Sequence, residues 1–375
     1  MPQPPLSLYV HLPWCERKCP YCDFNSHERT DLPENAYVEQ LLTDLQQELE
    51  GEQRPLETVF IGGGTPSLFS AHAIEKLMSG IRQYGDLTTS AEITMEANPG
   101  SVERSRLAAY AASGINRFSL GIQSFNNASL QVLGRVHDCA DAYAAIDAAR
   151  ESGADSFNTD LMHGLPYQDV QQGLEDLHVA IGAAAPHLSW YQLTIEPNTR
   201  FYSHPPRLPV EDVLASLEDE GAALLQNAGF ERYEVSAWAQ PGHACQHNMN
   251  YWRFGDYLAI GAGAHGKTTG SDGNILRYSK PRQPEDYLGD AGTRRCAVRE
   301  LDIGDRRGEF MLNALRLTEG FSLGLFENRT GLNPSTVRAE LDTLVDEKLL
   351  HCEGEQYFAS ELGRRFLDTV VGRFF

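Results

Sequence analysis

Three cysteines lie within eight residues, Cys15-Glu-Arg-Lys-Cys19-Pro-Tyr-Cys22, directly after an apolar run that ends at Trp14. Three thiols in one tight loop cannot all pair with one another, and they fall one short of the four ligands of a closed tetrahedral zinc site. Zinc completed by His11 or His27 is the plainer alternative, but gaps of three and then two residues are not a usual zinc-finger spacing. An iron–sulfur cluster solves the arithmetic: Cys15, Cys19 and Cys22 hold three irons, and a fourth iron keeps an open position. An open iron can chelate a small molecule and pass it an electron.

Such a loop needs elements to carry it. Strand candidates are Leu8–Leu12, Thr58–Ile61, Glu92–Glu96, Arg117–Ile122, Ser156–Met162 and Leu188–Thr194. Amphipathic stretches at Ala36–Glu50, Ala71–Tyr84, Val102–Ser113, Asp141–Ser152 and Val170–Ala184 separate them. Crossovers of this length imply a parallel sheet, because parallel neighbours need a helix to return the chain. The simplest arrangement is an α/β barrel, whose chemistry sits at the carboxyl ends of the strands. The unusual residues fall there: the cysteine loop, Gly62-Gly-Gly-Thr65, Glu96-Ala-Asn-Pro99, Gln123-Ser-Phe125, Asp160, and Gln192 with Thr194. They read as one site.

The segment Gly62-Gly-Gly-Thr-Pro66 has no Lys-Ser or Lys-Thr, so it is not a phosphate loop. It reads either as a plain strand-end turn or as a place where glycines let bare backbone carbonyls approach a bound ammonium. Gly261-Ala-Gly-Ala-His-Gly266 has the glycines of a dinucleotide fold, but turn-forming residues follow where a helix would have to start. Close backbone packing is the better reading there. His247-Asn-Met-Asn-Tyr-Trp252 sits among further aromatics, Phe254 and Tyr257. A lone histidine is more often a hydrogen-bonded structural residue than a ligand, yet neutral imidazole is also a common axial ligand of haem iron.

The formal charge of −21 opposes binding to phosphate backbones. The start of the chain has no basic region leading into an apolar core, and no apolar stretch approaches the roughly 20 residues of a membrane helix. Seven scattered cysteines form no disulfide framework, which points to a reducing cytoplasm. The last seventy or so residues pattern as three helices, a short hairpin and a final helix, a winged-helix-like order. From Asp305 onward there are 9 basic and 12 acidic residues, so packing or partner contact is expected rather than DNA binding.

The Cys-x-x-x-Cys-x-x-Cys spacing, with an aromatic before the last cysteine, resembles the signature of the radical S-adenosylmethionine (SAM) superfamily. The resemblance implies an incomplete barrel of six strand–helix units and a [4Fe–4S] cluster whose open iron chelates the methionine part of SAM. It further implies SAM contacts at Gly63, Gly64, Thr65, Glu96, Gln123, Arg135 and Asp160, and more weakly at Tyr9, Tyr21 and Thr194. The pattern His-Asn-x-x-Tyr-Trp resembles the haem-binding motif of the HemW family of haem chaperones, which would place haem at His247, Tyr251 and Trp252. The likeness includes Leu-Met-His-Gly-Leu-Pro166, Trp-Tyr-Gln-Leu-Thr-Ile-Glu-Pro197 and the C-terminal module.

A related family, the oxygen-independent coproporphyrinogen dehydrogenases, carries a fourth cysteine two positions after the third, where this chain has Phe24. It also carries an extension ahead of the first barrel strand, whereas here that strand begins almost at once. The expectation is therefore a carrier without dehydrogenase activity, passing haem to apo haem proteins, respiratory ones included; oxidative decarboxylation of a porphyrinogen is the alternative. The assembly admits a homodimer, with no surface assigned. The expected division is a barrel over residues 1–240, a loop-rich segment with the haem motif over 241–300, and the C-terminal domain over 301–375.

Overall fold

β-Branched runs alternating with amphipathic stretches build six parallel strand–helix units in the computed structural model, which describes residues 2–100, 104–289 and 292–375. The strands are β1 (Leu6–Leu12), β2 (Leu56–Gly63), β3 (Leu87–Ala97), β4 (Arg117–Gln123), β5 (Ser156–His163) and β6 (His187–Gln192). Each pairs in parallel with the next. All of β1 except Tyr9 is buried, as befits a strand covered on both faces.

Helices return the chain along the outside. In Ala71–Tyr84 the buried residues Ile74, Leu77, Met78 and Ile81 fall at helical spacing, and the Ser70 hydroxyl caps the start by accepting from the Ala73 amide. Reciprocal capping boxes, Asp138 with Asp141 and Asp169 with Gln172, start the helices Cys139–Glu151 and Val170–Gly182. Of the helix expected over 102–113, Leu107–Ala112 is helical, and residues 101–103 lie outside the described residues.

The sheet does not close. Beyond β6 it continues into two antiparallel strands, β7 (Glu231–Glu234) and β8 (Ala237–Ala239). Its other side departs from expectation, because residues 241–300 are not mainly loop. They form the helix Gln246–Trp252 and the strands β9 (Asp256–Ile260), β10 (His265–Thr269), β11 (Ile275–Ser279) and β12 (Cys296–Glu300). β9 lies parallel to β1, and the others follow antiparallel. The twelve-stranded order is β12-β11-β10-β9-β1-β2-β3-β4-β5-β6-β8-β7.

Buried charges clamp this extension to the barrel. Lys280 Nζ donates to Asp44 Oδ1 at 2.5 Å and to Glu48 Oε1 at 2.7 Å, inside the first barrel helix. Asp256, fully buried, accepts from Lys267 and Arg54 at 2.8 and 2.7 Å. The C-terminal module has the helices Ile303–Ala314, Leu323–Thr330 and Ser335–Asp346. Its three strands are β13 (Phe321–Ser322), β14 (Leu350–Glu353) and β15 (Gln356–Ala359), in the order β13-β15-β14. Its core, around Phe310, Phe321, Phe326 and Leu341, also takes in Phe254 and Ile275 from the extension. Among the described residues no helix is long and apolar enough to cross a membrane.

Candidate functional site

The thiol loop leaves β1 and is held by its own backbone. The Cys22 amide donates to the Cys19 carbonyl at 3.1 Å, and the Arg29 amide to the Cys15 carbonyl at 3.0 Å. Trp14–Cys15 pairs with His27–Glu28 as a two-residue parallel bridge. His11 Nε2 lies 2.9 Å from the Asn25 carbonyl, and Asn25 donates its side-chain amide to the carbonyls of Ala262 and Arg282. The sheet extension thus buttresses the loop from behind. Gly261, at φ 102°, explains the glycine-rich turn there: a Cβ would lie 2.2 Å from the His11 carbonyl oxygen. Close packing is what that turn serves.

Cys15 is buried, Cys19 and Cys22 are half-buried, and none is in a disulfide. Burial raises the thiol pKa of Cys15 and Cys22, so both hold their protons until a metal displaces them. Among the described residues no trio of His, Cys, Asp or Glu closes on a single metal ion. Three thiols facing one cavity without converging on one point fit a cluster, in which each thiolate takes a different iron.

The strand ends surround that loop. Gly64 packs against it so tightly that a Cβ would meet the Trp14 carbonyl oxygen at 2.5 Å. Gly63, at φ 117°, donates its amide to Glu96 Oε2 at 3.1 Å. Burial first, and then the neighbouring Asp160, raise the Glu96 carboxyl to about 8. Asp160, itself raised by burial, accepts from Ser119 at 3.0 Å and Asn158 at 2.7 Å. Gln123, at φ 69°, accepts from the Tyr191 hydroxyl at 2.7 Å. Arg135 donates to Asn98 Oδ1 at 2.6 Å and the Gly121 carbonyl at 2.9 Å, and its Nη1 lies 3.7 Å from Cys19 Sγ. Tyr21, Thr65 and the exposed Thr194 line the same cavity. Tyr9 does not: its ring stacks at 6.3 Å on Phe60, which does, and its hydroxyl lies 3.0 Å from His11 Nδ1.

The helix Gln246–Trp252 packs beside β1 and β2, its N-terminus capped by Glu92, which accepts from the amides of Gln246 and His247 at 3.1 Å. His247 is 1% exposed, and burial lowers its pKa to about 3, so the ring is neutral. Its Nδ1 lies 2.7 Å from Thr58 Oγ1 and its Nε2 lies 2.9 Å from the Tyr251 hydroxyl. Thr58 donates to Ser7 and so accepts from Nδ1–H, which leaves the Nε2 lone pair to Tyr251. In this arrangement both ring nitrogens are engaged, and neither His247 nor Tyr251 reaches the main cavity. Trp252 does.

That cavity, of about 640 Å³, runs from the thiol loop along the inward residues of β4 to Arg117. Sequence reasoning passed over Asn98, which joins Thr65 to Arg135 at 3.1 and 2.6 Å, although its Glu-Ala-Asn-Pro motif was in view. It also passed over Arg117, Tyr191 and Arg316, which are polar groups without a spacing signature.

A model of the radical SAM superfamily matches residues 9–178, and a model of the HemN C-terminal domain matches residues 303–366. The heme chaperone HemW of Haemophilus influenzae is 48% identical over 99% of this chain and 98% of its own length. HemW of Escherichia coli is 47% identical at the same coverages. A mitochondrial radical SAM domain-containing protein 1 of Mus musculus is 38% identical over 77% of this chain and 69% of its own. Among solved structures, the coproporphyrinogen III oxidase HemN of E. coli superposes with a TM-score of 0.81 at 22% identity, covering 100% of this chain and 91% of that one. At that identity the likeness shows the fold.

Proposed function

The chain belongs to the HemW family of the radical SAM superfamily, and on that premise we propose that it is a haem chaperone of the cytoplasm. It would take up haem beside a [4Fe–4S] cluster and SAM, and pass the haem to apo haem proteins, respiratory ones among them. The observation that carries the reading is the single cavity joining Cys15, Cys19 and Cys22 to Trp252, on the helix of the His-Asn-x-x-Tyr-Trp motif. One space thus joins the cofactor residues to the end of the motif helix, at Trp252.

Cys15, Cys19 and Cys22 would hold the cluster, which when bound would supply an electron to the SAM sulfonium. The chain's own residues hold the cofactor in place. The Gly63 and Gly64 backbone and Thr65 would take its ammonium group, Arg135 its carboxylate, and Glu96 the ribose hydroxyls. Gln123, Asp160, Tyr21 and Thr194 complete the enclosure, and Tyr9 acts one layer back, through Phe60.

Axial ligation by His247 requires the Tyr251 hydroxyl to leave Nε2. Titration of haemin tests this. Tyr251→Phe removes the competing hydroxyl and keeps the ring, so it should bind haem about fivefold tighter, the equivalent of one hydrogen bond no longer displaced. His247→Ala should bind at least about tenfold more weakly, with an altered haem absorption spectrum. An unchanged spectrum and affinity in His247→Ala would remove His247 as the ligand. Anaerobic conversion of coproporphyrinogen by the reconstituted protein would replace the chaperone reading with the dehydrogenase.

A further inference from the structure

Three buried hydrogen-bond donors at the end of the cavity away from the thiols have nothing to donate to among the described residues: Arg117 Nε, Arg316 Nε and Trp252 Nε1. They come from three separate parts of the molecule. Arg117 opens β4, Trp252 ends the motif helix, and Arg316 reaches in from the C-terminal module. Arg117 is the most demanding of them. It is 3% exposed and lines the cavity, and none of its side-chain nitrogens makes a hydrogen bond within the described residues.

Its nearest carboxylate, Glu92 Oε2, is 4.0 Å away, beyond hydrogen-bond reach. Glu92 is also already committed: it accepts from the amides of Gln246 and His247 and from Cys245 Sγ. Arg316 is better served, donating to Glu234 at 2.9 Å and to Ser236 at 3.5 Å, with its guanidinium 4.4 Å over the Trp252 ring. Buried donors left without acceptors are costly and rare in folded proteins. Three converging on one end of a cavity call for a ligand that brings acceptors and negative charge.

We propose that Arg117, with Trp252 and Arg316, is the anchor for a carboxylate of the tetrapyrrole, one of its propionates. The proposal rests on the haem reading above. A planar, forked guanidinium matches a carboxylate in two bonds at once. The placement also separates the two carboxylate-bearing ligands. The SAM carboxylate falls to Arg135 at the rim, and the propionate falls to Arg117, six residues down the same strand from Gln123, a span of about 20 Å. The propionate edge then lies at the floor of the cavity, beside the end of the motif helix.

Binding of haemin and of its dimethyl ester, measured in the same detergent, tests the anchor without altering the protein. The wild-type chain should bind haemin about tenfold or more tighter than the ester. Arg117→Met should bind both with the weak affinity of the ester while keeping its reconstituted cluster and its SAM affinity. Arg316→Gln, at a less buried site, should show the same loss of discrimination in part. Equal binding of haemin and ester by the wild type would overturn the anchor, as would a variant that still discriminates fully. A fall in SAM affinity in Arg117→Met would reassign the floor to the cofactor and overturn it too. If neither porphyrin binds the wild type, it is the haem reading underneath that fails.

Discussion

Glu96 carries two demands that pull apart. Its strand-end position suits it to accept hydroxyl groups from a ligand, yet it sits half-buried near Asp160, and its carboxyl rises to about 8. An acid that holds its proton longer in the folded state than in the unfolded one favours folding at low pH and loses that contribution as pH rises. The loss accrues between the ordinary value of 4.5 and about 8, and is complete above that. Glu96→Gln keeps an acceptor for the Gly63 amide but cannot ionise. In the cofactor-free protein its Tm should match the wild type near pH 5 and exceed it at pH 8.5, by thermal melts across that range. A constant difference would mean the carboxyl is not the titrating group. At this scale the sequence was most informative where residue type and spacing are themselves the chemistry, as at Cys15, Cys19 and Cys22. It was silent on Arg117, because an arginine at the start of a strand reads as solvated until the fold buries it.

Strands and turns hold the thiol loop in register with the strand ends. At Gly64 that fit is close, since a Cβ there would meet the Trp14 backbone at 2.5 Å, and backbone cannot swing aside as a side chain can. Gly64→Ala should therefore lower stability by about 1–3 kcal/mol in urea unfolding. It should also reduce the iron and sulfide retained on reconstitution, because Cys15 directly follows Trp14. Retention at the wild-type level would show that the loop relaxes without moving its thiols. The six barrel strands were legible from runs of apolar residues bounded by glycine and proline. β9 through β12 were not, for a physical reason: the glycines and Asn274 in the turns between them and the buried Lys267 break the local pattern, and their stability comes from partners distant in sequence. β9 is read correctly only once it lies against β1, some 250 residues earlier.

The whole molecule unfolds as its cores are shared. The C-terminal module packs Phe310, Phe321 and Phe326 together with Phe254 and Ile275 of the sheet extension. The Thr318 amide donates to the Tyr233 carbonyl, beside the Arg316–Glu234 pair. Calorimetry of the cofactor-free chain should accordingly show one cooperative transition, with equal calorimetric and van't Hoff enthalpies. Two separated transitions would mean that the module docks without a common core. The winged-helix-like order was legible from its helix and hairpin pattern. That the module lends Arg316 to the cavity was not, because no local signal says which surface a domain turns toward its neighbour.

The neutral ring of His247, closed off by Thr58 on one nitrogen and Tyr251 on the other, has a consequence for metal hygiene. A bare imidazole would be an attractive landing place for stray zinc or copper. With its lone pair occupied by the phenol of the half-buried Tyr251, the ring is closed to small ions, which gain too little from one nitrogen to displace that hydrogen bond. A large planar guest that brings its own buried surface can meet that cost. The same hydrogen bond that hides the histidine thus sorts its visitors by size.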